Sequence, residues 1–549
     1  MKKFFVAFFA LCLLAYILPL GIRPLSIPDE ARYGEIAREM LSSGDWVVPR
    51  LNGLKYFEKP VLGYWANAVS IKMFGENAFA IRLTSVFSVM FSACLIFLLV
   101  RKASPSGTTR FLAPAVFLTS PLVIAIGQIS ILDSLLSMLL TGVMVCFFFA
   151  HRAETGAGKT LFLILTGGVC GLAFLTKGFL AFAVPVLAIV PFLLWEGRVR
   201  DLFRIPWIPL ITALLVALPW SLMIHFREGD FWRYFFWTEH VARFVSPVAG
   251  QHPEPLWYFL PILAAGILPW TVQIPPALSM VVKLEMKNPL VRFAICWFLF
   301  PFLFFSICSG KLIPYILPCI PPVAVIVAVG LTHYFEAGKM RAFSIAAWVL
   351  AGIIGITGAV LLTSGIFLNE EMRFYGADEG AKQVAASLAA FVWAFLTVWS
   401  IRVKDYRKRL LLYCTGIAIF LLVAGVGVPS RVMNIRAPGG LLERNLPRVT
   451  PDAIVVSNDN VLRAVCWFLK RDNVKMLEEV GELAYGVKHD DADPGRFLTL
   501  PAFQKILREN AGKRPVILVL NASYYRSYRD QLPLPAFVDT DNHFVFAMY

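Results

Sequence analysis

The chain has 549 residues, 58% of them hydrophobic and 16% charged, with a formal net charge of +15. Water-soluble domains run about 45–50% apolar and about 25% charged, so these proportions exclude an ordinary soluble enzyme and point to a chain that lives in a bilayer. The positive balance does not indicate nucleic acid, because Lys and Arg come in short clusters between apolar runs, as in "RKASPSGTTR", "EGRVRDLFR" and "RVKDYRKRL". That placement is what the positive-inside rule produces, and acidic phospholipid head groups are the partners it implies.

The first apolar run, residues 4–20, follows Lys2-Lys3 and has no small-residue cleavage site behind it. It reads as an uncleaved first helix rather than a signal peptide. A spanning helix needs about 20 apolar residues, and on that criterion about thirteen spans follow one another. They begin near Phe4, Ala78, Phe111, Ile131, Leu161, Phe179, Pro206, Leu256, Val291, Leu312, Phe343, Ala385 and Leu410.

With Lys2-Lys3 in the cytoplasm, alternate connections are basic: Arg101-Lys102-Arg110, Arg152-Lys159, Arg198-Arg200-Arg204, Lys283-Lys287-Arg292, Lys339-Arg341 and the run Arg402–Arg409. This fixes the orientation, and an odd number of spans puts the C-terminus outside. The expected organisation is a membrane domain over 1–428 with long outside loops at 21–77 and 225–255, then an extracytoplasmic domain over 429–549. In that tail "DAIVVSNDN" and "RPVILVLNAS" read as strands. "VLRAVCWFLKR" and "LPAFQKILREN" read as helices. The fold class is a polytopic α-helical membrane protein with a small C-terminal α/β domain.

The nine cysteines show no metal-ligand spacing, and all but Cys466 lie in or beside apolar runs, as small packing residues do. "ETGAGKT" mimics a phosphate loop, but Ala153 stands where the pattern needs glycine, and the segment is a cytoplasmic turn between spans.

The odd residues gather in the outside connections. "SIPDEARYGEIAREMLSSGDW" predicts a helix over 28–43 closed by Gly44, and "FWRYFFWTEHVARF" mixes aromatics with charges at helical spacing. Both read as amphipathic helices lying in the head-group layer, gripping a lipid substrate or plugging the bundle. Asp29 suits a helix cap with Ser26, or a site carboxylate. Asp133, in "SILDSLLSMLL", sits in the first turns of the fourth span, where an acid is costly and usually faces a polar cavity; capping is its bland alternative.

In "LKYFEKPVLGYW", Glu58 and Lys59 precede a helix expected to begin at Pro60. Glu58 can cap, whereas a cation there opposes the helix dipole, so Lys59 suggests a bound phosphate. Glu58 would then be free to balance a cation or a metal. In "TEHVARF", Arg243 offers a fork suited to phosphate oxygens, and His240 shares its face. Lys311 and Tyr315 top the tenth span in "SGKLIPYILP", where Lys311 snorkels or faces a cavity. Lys177, in "FLTKGF", is a weaker member of the set.

The segment "IPDEARYGEIAREMLSSGDWVVPRLNGLKYFEKPVLGYW", with "EHVARF" and "GKLIPYILP" further on, resembles bacterial aminoarabinose lipid A transferases of the ArnT type. These are polyprenyl-phosphate-dependent GT-C glycosyltransferases related to protein O-mannosyltransferases. The resemblance spans the membrane part and implies an inner-membrane enzyme with a periplasmic tail. Its implied activity moves 4-amino-4-deoxy-L-arabinose from undecaprenyl phosphate to a lipid A phosphate, giving resistance to cationic peptides. It implies Asp29 and Asp133 as catalytic aspartates, and Lys59, Arg243, Tyr315 and Lys311 as donor-phosphate contacts. Glu58 and His240 become candidate ligands for a divalent metal (Zn, Mg or Mn), although Thr238 competes with His240 for the matching place. A GT-C transferase acting on a protein or another glycan is the nearest rival. A flippase is the remote one, since it would need ionisable residues at mid-membrane and matched halves.

Overall fold

The structure is a computed structural model that describes residues 2–242, 253–284, 288–367, 369, 372–489 and 495–549. Among these, nine helices are long and apolar enough to cross a membrane, two further pairs of helices are bent at a short break, and two shorter apolar helices remain. Together they correspond one for one with the predicted spans. The bent pairs have local causes. Gly107–Leu118 and Pro121–Gly127 meet at 58°, where Pro121 cannot continue the preceding ladder. Phe259–Gly266 and Trp270–Leu284 meet at 93° across Pro269.

The chain divides into two compact units, one made of 1–20 with 85–429 and the other of 21–84 with 430–549. The membrane unit holds the helices. Its first helix, Lys2–Ile17, packs by Cys12 and Tyr16, and the Tyr16 hydroxyl donates to the Leu118 carbonyl at 3.0 Å. Six of the nine cysteines are buried and all are free thiols. In the "ETGAGKT" segment, the Thr155 hydroxyl accepts from the Gly158 amide at 3.1 Å, an ordinary cap for the Gly156–Lys177 helix.

The second unit joins the first outside loop to the tail. Its sheet has six strands in the spatial order Phe497–Leu498, Lys475–Leu477, Ile454–Ser457, Val516–Asn521, Phe544–Met548, Phe537–Thr540. The first four run parallel and the last two pairings are antiparallel. Asp459–Leu469 and Leu500–Asn510 are the crossover helices that parallel pairing demands.

The loop helix, Asp29–Ser43, ends at Gly44 in the left-handed conformation, φ 71°. It does not lie open in the head-group layer. Residues Glu30 to Met40 are all buried, and a Cβ on Gly34 would meet the Trp467 ring at 3.2 Å. The amphipathic pattern was real, but its polar residues face partners within the unit instead of water. In the 225–255 segment, Phe231–Arg233 leads into a wide π-type turn over Tyr234–Ala242, and 243–252 lie outside the described residues.

Candidate functional site

Site residues fall in both units. In the loop-and-tail unit, Arg50–Leu51 and Leu54–Lys55 form a hairpin across Asn52-Gly53, with φ of 58° and 74°. Two positive φ values at Asn-Gly are the signature of a type I′ turn, a signal already present in "RLNGLK". The Glu39 carboxylate clamps this turn, accepting from the Asn52 and Gly53 amides at 2.6 and 2.9 Å. The Asn52 side chain then pairs both ways with Val474, at 2.8 and 2.9 Å, like one more rung of a ladder.

That hairpin delivers Tyr56, Glu58 and Lys59. Glu58 is buried, with 4% exposure, and its carboxylate accepts from the Tyr56 hydroxyl at 3.2 Å. The Lys59 ammonium lies 4.0 Å from the same carboxylate and donates to the Glu58 carbonyl at 2.8 Å. The following helix begins at Leu62, with Val61 as its cap residue, rather than at Pro60. Lys59 therefore sits in a bend before the helix, outside its first turn, and the helix-terminus argument for its phosphate affinity does not apply.

Asp29 opens the loop helix with its side chain 49% exposed, paired with Arg32 one turn on. The Ser26 cap goes to Glu30 instead, through its amide at 3.0 Å and hydroxyl at 2.9 Å. Glu30 is in turn gripped by Arg82 at 2.6 and 2.7 Å. Arg32 has a second partner in Glu482 of the tail, which also accepts from Tyr56 at 3.1 Å and from Arg463 at 3.2 Å. Burial pushes the Glu482 carboxyl up, but Arg32, Arg463 and the hydrogen bonds more than reverse this and hold it well below the usual carboxylate range. Two chains thus leave Glu482, one through Arg32 to Asp29 and one to Tyr56, whose single hydroxyl proton is shared between Glu482 and Glu58. Nothing in the local pattern around Glu482 announced this, because its partners lie 450 and 426 residues away.

In the membrane unit, Asp133 occupies the first turn of Leu132–His151 and Lys177 ends Gly156–Lys177. Their charges meet at 2.7 Å, and the Lys177 ammonium lies over the Tyr315 ring at 4.8 Å. Tyr315 belongs to a 3-10 turn, Ile313–Cys319, whose prolines prevent a regular helix top. Lys311 does not snorkel: it is 2% exposed and donates to the Glu254 carbonyl at 2.6 Å. His240 falls in the π-type turn, but its side chain lies outside what is described, and so does Arg243. The weak candidate Lys177 thus becomes the hub of the membrane-unit cluster.

A metal held by Glu58 needs further ligands. Among the described residues no three His, Cys, Asp or Glu side chains converge. The Glu58 carboxylate has a hydroxyl and an ammonium beside it. A lysine cation is a poor neighbour for a divalent ion, and the side chain of the other candidate ligand, His240, lies outside what is described.

The dolichyl-phosphate-mannose-protein mannosyltransferase family profile matches residues 1–235, and that of the arabinosyl transferase ArnT C-terminal domain matches 433–548. A protein of Shewanella sediminis, named undecaprenyl phosphate-alpha-4-amino-4-deoxy-L-arabinose arabinosyl transferase, is 39% identical over 87% of this chain and 87% of its own length. Proteins of the same name from Yersinia enterocolitica and Serratia proteamaculans are 36% and 38% identical, over 99% and 96% of this chain and 97% and 94% of their own. The crystal structure of ArnT from Cupriavidus metallidurans bound to undecaprenyl phosphate aligns with a TM-score of 0.84 at 24% identity, covering 99% of this chain and 97% of that one. Its apo form gives 0.83. At that identity the likeness concerns the fold.

Proposed function

Because this chain belongs to the undecaprenyl phosphate-alpha-4-amino-4-deoxy-L-arabinose arabinosyl transferase family, we propose that it transfers 4-amino-4-deoxy-L-arabinose from undecaprenyl phosphate to a phosphate of lipid A. It does so at the periplasmic face of the inner membrane, as a multi-pass enzyme with a periplasmic tail. The observation that carries this reading is identity of 36–39% sustained over both the helical unit and the tail.

The chemistry sets the demand on the residues. The bond between the anomeric carbon and the lipid phosphate breaks, and charge builds on the departing phosphate. Lys59 and Arg243 supply cations that stabilise that charge more in the transition state than in the bound donor, with Tyr315 and Lys311 beside the phosphate. The acceptor phosphate is already an anion, so the new bond to the anomeric carbon needs little general-base help. Attack opposite the departing lipid inverts the anomeric centre. Asp133, fixed by Lys177, serves orientation. Asp29, half exposed and paired with Arg32, is assigned to the sugar's ammonium. No step runs through a metal.

Reconstituting the full chain in liposomes with the lipid-linked donor tests this. Release of undecaprenyl phosphate should require lipid A and be lost in Lys59→Ala. Release that ignores lipid A, or proceeds normally without Lys59, sinks the reading.

A further inference from the structure

The tail sheet has a topological switch point. From Ile454–Ser457 the chain adds Lys475–Leu477 and then Phe497–Leu498 on one side, and then crosses to place Val516–Asn521 on the other. In open α/β sheets, ligands bind outside the carboxyl ends of the strands where the order reverses. Here those ends carry Asn458 and Asn521. The Asn458 amide donates to the Asn521 side-chain oxygen at 3.1 Å.

Asn458 is also the cap residue of Asp459–Leu469, yet its side chain makes no capping bond. Its Oδ1 is buried and has no hydrogen-bond partner among the described residues, in a residue 1% exposed. An asparagine that declines its preferred cap and leaves an acceptor unmet is a standing cost that a bound donor would relieve. The surrounding chemistry says what kind of donor. Asp459, Glu478, Glu479 and Glu482 rim the strand ends, and the arginines that reach them among the described residues are already taken, Arg463 by Asp459 and Glu482 and Arg32 by Glu482 and Asp29. An anion would be repelled, whereas a sugar hydroxyl can donate to Asn458 without bringing charge. Tyr524, whose hydroxyl donates to Glu479 at 2.8 Å, adds an aromatic face at the rim.

We propose that the strand ends at Asn458 and Asn521 form a sugar-binding subsite that takes a hydroxyl-bearing ring of the acceptor's headgroup. This rests on the transferase reading above and gives the tail a role in it. Asp459 follows Asn458 directly and is joined by Arg463 to Glu482, which leads through Arg32 to Asp29, so a sugar seated there is tied to the same network as the candidate aspartate. Pyranose hydroxyls could come from the hexosamine of the acceptor or the pentose of the donor, and the test separates them.

The full chain in detergent is probed by saturation-transfer NMR with methyl glucosaminide and, separately, with 4-amino-4-deoxy-L-arabinose. The glucosaminide should give a signal that Asn458→Ala and Asn521→Ala abolish. Asn458→Ser, a milder change, should abolish it too and serves where the alanine variant fails to fold. In steady-state transfer the same variants should raise the KM for lipid A about tenfold, the worth of one hydrogen bond, while kcat and the donor KM hold. A signal from the pentose alone, no signal from either sugar, equal signals in wild type and variants, or a kcat loss at unchanged KM each overturns the subsite. The NMR arm needs no turnover, so a chain that binds the glucosaminide but fails to transfer would sink the transferase reading alone.

Discussion

Glu30 and Arg82 form the most completely buried ion pair among the described residues of the loop-and-tail unit, at 2% and 1% side-chain exposure. Arg82 also donates to the Arg23 and Pro24 carbonyls at 2.8 Å each, so one guanidinium fixes both ends of the segment entering the loop helix. Removing one partner strands the other in a dry site. Glu30→Ala is expected to cost about 3–5 kcal/mol, read as a lowered unfolding midpoint of the loop-and-tail unit by Trp467 fluorescence. The Asp133–Lys177 pair asks a different question, because the proposed reaction makes it a site as well as a strut. Exchanging the two charges should restore assembly, which needs only opposite signs. It should not restore transfer, which needs the carboxylate at 133. Full activity in the exchanged variant would reduce the pair to a strut. For Glu482 the linkage has a definite sign. Its folded value lies below its ordinary 4.5, so its stabilising effect is complete above about that pH and is lost as pH falls further, through the folded value. Wild type and Glu482→Gln should therefore differ by a constant amount in unfolding free energy from pH 8 to about 5, and converge only in stronger acid.

At the scale of elements, periodicity and punctuation carried the reading far. Each predicted span has its helix, Gly44 closes the loop helix, and the quoted tail segments are the strands and helices they were read as. These features are local: an apolar run, a glycine at positive φ, an alternation of β-branched residues. What stayed hidden depends on partners remote in sequence. The loop helix looked like a surface helix because its Glu and Arg residues are polar, yet Glu35 and Arg38 pair with each other at 2.7 Å inside the unit and Glu39 clamps the hairpin. Lys177 looked minor because its partner Asp133 is 44 residues earlier. Pro60 suggested a helix start two residues too soon because proline fits the lead-in as well as the first turn. Asn52 shows the cost of such remote pairing. Asn52→Ala leaves the Val474 amide and carbonyl unmet and places a Cβ residue with no local hydrogen bond at positive φ, a loss of about 1–3 kcal/mol from the unmet groups alone. Thermal unfolding of the variant reads it.

Over the whole molecule, the grouping of 21–84 with 430–549 means that the tail is not an appendage. It covers the loop that carries Asp29, Glu58 and Lys59, and it supplies Glu482 and Val474 to hold that loop in shape. A chain ending at Pro429 should still insert its helices but leave Asp29–Ser43 bare, so limited proteolysis should cut within 21–77 in the truncated chain and spare it in the full one. Equal resistance in both would show the loop to be self-supporting.

The transferase account itself meets its most direct test in cells stripped of their own lipid A aminoarabinosylation and supplied with this chain. Mass spectra of their lipid A should show molecules one aminopentose heavier on a phosphate, and the addition should vanish with Lys59→Ala expressed at equal level. Unmodified lipid A from cells that make both the chain and its lipid-linked donor would contradict it.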